Sequence, residues 1–261
     1  MLIDINAYTG HWPFKQLHGN TCDGLLERMK EYGTDLSVIT NLHGVFYKNT
    51  QSANDELYRE VRSKRAFNDR FLPFGIINPI YAGWKDDFNT CVKDYGMKGI
   101  RVFPNYHDYT IDDPNLVELV KMARDADVAV ALTMRVVDSR QRSWMDLSTE
   151  WPMKDYLPLL RAVPDAKFML LNLGTNMALS DEDVKTIKDG NVLIDTSGRY
   201  ITHFANYVKR FGKEKFAFGT HFPVLDYYSG LLRIESLRKE EANEEDRELF
   251  RHLNVKRFLK L

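Results

Sequence analysis

The sequence predicts a single (β/α)₈ TIM barrel spanning residues 1–261, and three observations carry that reading. Eight short β-rich runs recur along the chain. Amphipathic stretches lie between them with apolar residues at three- and four-residue spacings, the pattern of parallel strands joined by helical crossovers. No GxGxxG follows any of the strands, so an open dinucleotide-binding sheet of eight strands loses its main support. The length of 261 residues suits a barrel of about 250. No internal repeat, low-complexity stretch or Gly/Ser/Pro-rich linker marks a domain boundary.

The first strand is LIDINAY, residues 2–8, whose apolar start gives way to Asn6, Tyr8, His11 and Trp12. CDGLLERMKEYG follows as a helix with Gly33 as its stop. DLSVITNL (35–42) is the second strand, ANDELYREVRSK the next helix, FLPFGIIN (71–78) the third strand and KGIRVFP (98–104) the fourth. Asp113-Pro114 opens the helix DPNLVELVKMARDAD, because an Asp cap followed by Pro at the first helical position suits a helix start. VAVALT (128–133) is the fifth strand. The longest connection follows it: a polar loop containing Arg140, Arg142 and Trp144, then a helix from near Pro152. Loops of this length are functional or disordered more often than not. KFMLLN (167–172), NVLIDTS (191–197) and KFAFGT (215–220) complete the strands, with Ser180-Asp181 starting a helix and Gly212 ending one. The closing LRKEEANEEDRELFRHLNVKRFLKL carries Leu and Phe at helical spacing, as helices on the barrel's last flank would, with a solvated outer face.

Composition narrows the partners. Charged residues make up 28% of the chain and the net charge is −1, so neither nucleic acid nor an anionic membrane surface is an expected ligand. No segment approaches the roughly 18 apolar residues of a membrane helix, and the start of the chain lacks a basic, then apolar, targeting pattern. The expectation is a cytoplasmic protein. Cys22 and Cys91 lack any CxxC or Cys/His spacing and read as small packed side chains.

In such barrels the site lies at the C-terminal ends of the strands. Side-chain alternation puts Asp4, Asn6 and Tyr8 on one face and selects Asn41, His43, Asn78, Arg101, Thr133, Arg135, Asn172, Asp195 and His221 at or after later strands. Each has a plainer reading as a turn, cap or packing residue. Arg101, between Ile100 and Val102, needs a partner if it points inward: an internal carboxylate such as Asp4 or Asp195, or an anionic substrate.

These strand ends resemble the amidohydrolase superfamily, specifically its amidohydrolase-related branch. Ile3-Asp4-Ile5-Asn6-Ala7-Tyr8 occupies the place of the family's IDxHxH, and Lys98-Gly99-Ile100-Arg101-Val102-Phe103-Pro104 is similar to KGIKLHP. Residues 129–135 match PVLIHTG with Thr133 in the histidine's place, residues 170–174 match LxHLG with Asn172 there, and residues 218–223 match FGSDxP with His221 for the aspartate. The resemblance runs to residues 254–259, which look like the family's NxxRLL ending. It implies a (β/α)₈ fold and metal-dependent hydrolysis or decarboxylation. Amide and hydroxyl groups are poor replacements for the imidazoles of a catalytic metal site, so the expectation is no cofactor and no tightly bound metal.

Three functions compete. The first is a hydrolase of a small organic anion, a cyclic or aromatic carboxylic acid or lactone, with His221 as general base. Arg135 or Arg101 would polarise the substrate carbonyl, helped by Asn6, Tyr8 and Asn172. His11, Trp12, His43, His107, Thr133, Arg140 and Arg142 would complete the binding wall, and decarboxylation is the second reaction. The alternative is a non-catalytic barrel that binds a metabolite or partner. The third is a relocated metal site of His11, His43, His107 and His221. A homo-oligomer is compatible with all three.

Overall fold

In the computed structural model the described residues are 1–133, 135–137, 143–147, 151–172, 178–198 and 204–261. Among them are nine strands: β1 Ile3–Thr9, β2 Leu36–Asn41, β3 Phe71–Pro73, β4 Gly75–Ile76, β5 Gly99–Val102, β6 Ala129–Thr133, β7 Lys167–Leu171, β8 Val192–Asp195 and β9 Phe216–Ala217. All neighbouring pairs are parallel, in the order β1-β2-β3 and β4-β5-β6-β7-β8-β9. The third expected strand thus divides at Phe74, whose amide donates to Ile39 O at 2.9 Å. The segment after β9 reaches β1 through Ile5 N donating to Phe218 O at 2.9 Å, Tyr8 N to Phe222 O at 2.8 Å, and a parallel bridge between Ala7 and Phe222. These links join the two runs into the barrel of the (β/α)₈ class.

Two apolar layers stabilise it. Leu25, Leu57, Leu116, Leu119, Phe168 and Phe250 belong to the large layer between strands and helices, where burial of each such side chain contributes about 1.5–3 kcal/mol. Ile3, Ile5, Val38, Phe74, Ala131, Met169 and Leu193 pack inside the barrel, with Val255 and Leu259 of the final helix against them. A Cβ at Gly99 would collide with the Phe74 ring, so the absence of a side chain there makes room for the aromatic plug.

The first strand departs from simple alternation. Its register with β2 slips between Asp4 and Ala7, where Ile5 and Asn6 face the single residue Val38. Such a bulge resets which face later residues occupy. Ile3 and Ile5 therefore point into the lower barrel with the apolar layer, and Asn6 and Tyr8 point into the upper barrel. Asp4 turns instead to the segment after β9, accepting from Thr220 Oγ1 at 2.6 Å, Thr220 N at 3.0 Å and Asn6 N at 2.9 Å.

The helix signals hold. Pro114–Asp125 starts with the Asp113 side chain accepting from Asn115 N, and Asp181–Asp189 starts with a capping box between Ser180 and Asp183. Cys22–Glu31 and Phe204–Phe211 are followed by Gly33 and Gly212 at φ +69° and +98°, a conformation that favours glycine. Both cysteines are buried and free. No described helix is long and apolar enough to cross a membrane.

Candidate functional site

The ends of β1, β5, β6, β8 and β9 bring one buried polar network together. Arg101 lies at its centre: Nε donates to Thr133 Oγ1 at 2.7 Å, and Nη2 donates to Asn6 Oδ1 at 2.9 Å and to the Tyr8 hydroxyl oxygen. Its guanidinium carbon lies 4.1 Å from the Tyr8 ring centroid and 5.3 Å from that of Phe103, within cation–π range. The described partners of this buried cation are thus neutral oxygens and aromatic faces, while Asp195 and Asp4 act through space. Burial lowers its pKa against the pull of Tyr8 and the two carboxylates.

Asn6 links this cation to the acids. Its Nδ2 faces Asp195 Oδ2 at 2.6 Å, His221 Nδ1 at 3.1 Å and Ser197 Oγ at 3.1 Å. Asp195 also accepts from the Ser197 hydroxyl and from Asn172 N at 2.8 Å. A Cβ on Gly219 would approach Asp195 Oδ2 to 2.8 Å, so that glycine lets the last strand pass beside the carboxylate. Burial raises Asp195 and Asp4 to about 6 despite these donors.

His221 is fully enclosed, 0% exposed, and adopts a left-handed backbone at φ 59°. Its Nε2 is 2.6 Å from Val136 O. A carbonyl can only accept, so Nε2 carries the proton and Nδ1 is left to accept from Asn6. Burial first, then the charge of Arg101, holds the imidazole well below its ordinary pKa. With one nitrogen donating and the other accepting inside the protein, no lone pair faces a water or a substrate. These contacts connect β1 to the loop after β6 through the His221 ring.

Asn172, also left-handed at φ 53°, donates from Nδ2 to Arg135 O at 2.9 Å. Non-glycine residues occupy this region rarely, and side-chain and backbone tethers are needed to hold them there. The other expected residues separate into different places. His11 is exposed and stacks on His43 with centroids 5.7 Å apart; His11 N donates to His43 Nε2 at 3.1 Å, and His43 Nδ1 meets Glu56 at 3.0 Å. Trp12 is buried, donating from Nε1 to Asp146 Oδ2 at 3.0 Å beside Phe46 and Tyr106. His107 is buried with Nε2 3.1 Å from Gly44 O, and its pKa is pushed down to about 4 by burial. His11 and His43 thus pair with each other while His107 and His221 have other partners, and no group of three or more His, Cys, Asp or Glu among the described residues could hold an ion. Arg140 and Arg142 lie outside the described residues.

A cavity of about 560 Å³ opens beside this network between the loops after β1, β6, β8 and β9. Cationic Lys15, Arg28, Arg135 and Arg233 line it, together with Asp226, Tyr227 and Phe222. The Asp226 carboxylate caps the helix Tyr227–Glu235, accepting from Ser229 N at 3.0 Å. Arg233 was not among the residues selected from sequence. Its only signal there is position: it shares the buried face of that helix with Tyr227, Gly230 and Ile234. Ser197 and Thr220 were missed as well, because short hydroxyls beside a strand end look like turn residues.

The fold and its strand-end site define an α/β barrel of the amidohydrolase kind. The chain belongs to the Amidohydrolase family, whose model matches residues 9–261. A Staphylococcus aureus structure described as an amidohydrolase is similar at 17% identity and TM-score 0.73, covering 100% of this chain and 99% of its own. Dihydroxybenzoic acid decarboxylase from a Polaromonas species, solved with manganese and 2-nitroresorcinol, is 15% identical at TM-score 0.72, covering 100% and 97%. A 5-carboxyvanillate decarboxylase from Novosphingobium aromaticivorans, also with manganese, is 11% identical at TM-score 0.68, covering 100% and 96%. No protein of curated function matches.

These structures correct the expectation of a family member without a cofactor: relatives of this fold hold manganese, which points to a metal cofactor. The donor set here is already committed within the protein. Asn6 and Tyr8 oxygens already accept from Arg101, Thr133 Oγ1 accepts from it too, and both His221 nitrogens are engaged. The described side chains as arranged do not fit a divalent ion.

Proposed function

We propose that residues 1–261 form one catalytic domain that transforms a small organic acid, aromatic or cyclic, in the cationic cavity, by hydrolysis of a bond in that molecule. The observation that carries this reading is the cavity at the strand C-terminal rim, where Lys15, Arg135 and Arg233, beside an Arg28 paired with Glu31, outnumber one carboxylate already used as a helix cap. Small anions are what such a lining recognises, and the rim is where barrels of this class place their chemistry. Arg135, held through its carbonyl by Asn172, is the binding residue that joins the cavity to the buried network. In this reading Asn6, Tyr8, Thr133, Asn172 and His221 act as positioning residues beneath the substrate. Membership of the Amidohydrolase family supports hydrolysis. Loss of CO₂ is the second reading, supported by the likeness to decarboxylases of aromatic acids.

The test is a panel of substituted benzoates and their lactone and ester derivatives, incubated with and without added manganese. Release of acid and release of CO₂ are followed separately. Consumption of an acid-bearing compound, abolished in Arg135→Met, is expected; no consumption of any compound under either condition overturns the reading.

A further inference from the structure

Arg233 is built into the cavity wall in an unusual way. It lies on the helix Tyr227–Glu235 and is only 8% exposed. Its Nη2 donates to Gly198 O, while Nε and Nη1 have no hydrogen-bond partner among the described residues. Burying guanidinium donors without partners is unfavourable; Asp195 supports the charge through space, and a second guanidinium, Arg135, opposes it. The helix brings it there by close approach: a Cβ on Gly230 would come within 3.1 Å of Thr220 Cα and 3.2 Å of Gly219 O. Seated this closely on the end of the last strand, the helix delivers the arginine from its second turn to the cavity wall.

We propose that Arg233 is the carboxylate anchor of the cavity, and that the anchored carboxylate is a retained handle of the substrate rather than its leaving group. This deepens the proposed function and rests on it. A carboxylate in direct contact supplies the negative charge and the acceptor oxygens that this guanidinium lacks among the described residues. Its negative charge relieves the opposition between Arg233 and Arg135. The handle role follows from where charge goes in the two reactions. Loss of CO₂ moves negative charge from the carboxylate onto carbon, so cations fixed on that carboxylate stabilise the ground state more than the transition state and slow the step. Hydrolysis elsewhere in the molecule leaves the anchored charge unchanged: water adds across the broken bond, its hydroxyl to the acyl carbon and its proton to the leaving oxygen or nitrogen. Binding energy from the anchor then positions the reacting bond.

The experiment is calorimetric titration of the full chain with benzoate and with neutral benzamide, on wild type, Arg233→Gln and Arg233→Lys. Lys85→Gln, at an exposed ion pair with Glu118, is the control. Wild type and control are expected to bind benzoate and to bind benzamide at least tenfold more weakly; Arg233→Gln loses tenfold or more of the benzoate affinity, and Arg233→Lys regains part of it. The same titration of wild type read by the arginine Nε–H resonances should shift the Arg233 signal, a readout that needs no folded variant. Benzoate affinity unchanged in Arg233→Gln, equal affinity for benzamide, or an unmoved Arg233 resonance overturns the anchor. Intact benzoate binding without turnover of any acid in the panel overturns the proposed function and leaves the anchor standing, whereas turnover that releases CO₂ from an acid with a single carboxylate overturns the handle.

Discussion

Replacing Arg101 with Met tests whether the buried cation is required by its surroundings. The substitution leaves Asn6 Oδ1, Thr133 Oγ1 and the Tyr8 hydroxyl without their common donor and removes the positive charge that offsets Asp4 and Asp195. A hydrogen bond to a charged group contributes about 1.5–3 kcal/mol, and Arg101 makes three. Against this, Met no longer has to desolvate a guanidinium, a cost of several kcal/mol that a well-packed apolar residue avoids. Removing one member of a buried charge network has a net cost of about 3–5 kcal/mol, and about 3 is expected here. Urea unfolding at pH 7 measures it, provided the slope of the transition is unchanged. Adding Asp195→Asn should recover at least about 1 kcal/mol relative to the sum of the two single losses, because the two groups share a network. An Arg101→Met protein as stable as wild type, or strict additivity in the double variant, would refute the reasoning.

His107 gives a pH prediction. Its folded pKa, pushed down to about 4, lies below the ordinary 6.5, so its neutral form contributes stability above pH 6.5 that is lost as pH falls toward 4; Asp4 and Asp195, raised to about 6, contribute in the opposite sense, favouring the folded state below pH 3.8 and losing that as pH rises through 6. His107→Gln should therefore lose about 3 kcal/mol less stability than wild type between pH 7 and pH 4, and parallel urea-midpoint profiles would contradict this. Gly99→Ala forces a Cβ into the Phe74 ring and should cost about 1–3 kcal/mol, read as a lowered melting temperature that Phe74→Leu in the same chain partly restores. Asn172→Ala keeps a left-handed backbone without its tether to Arg135 O and should lose about 1 kcal/mol together with severalfold in benzoate affinity; wild-type affinity in this variant would remove Asn172 from the site.

Much of the barrel was legible because it is written in local pattern. The eight β-rich runs and the caps at Asp113, Ser180, Gly33 and Gly212 depend on residues next to one another in the chain, and all reappear as elements or their ends. The convergence of Asn6, Tyr8, Arg101, Thr133, Asn172 and His221 was legible too, since each ends or follows a parallel strand and parallel strands end on the same rim. The partners of Arg101 were not legible as they stand: the bulge between Asp4 and Ala7 turns Asp4 away and leaves Asn6 and Tyr8 facing the cation. A one-residue slip in register leaves no mark in composition or period.

The chain's alternation of strand and helix, its family and the positions of its strand-end polar groups were determined by the sequence alone, because short-range periodicity and the residues bordering each element carry that information. Only the tertiary structure decided what those groups do to one another. It gave both His221 nitrogens protein partners, surrounded Arg101 with neutral oxygens, and carried Arg233 from a distant helix to the cavity wall. Protonation, desolvation and the choice of partner are set by distances between residues far apart in the chain, and those distances exist only once the barrel has closed.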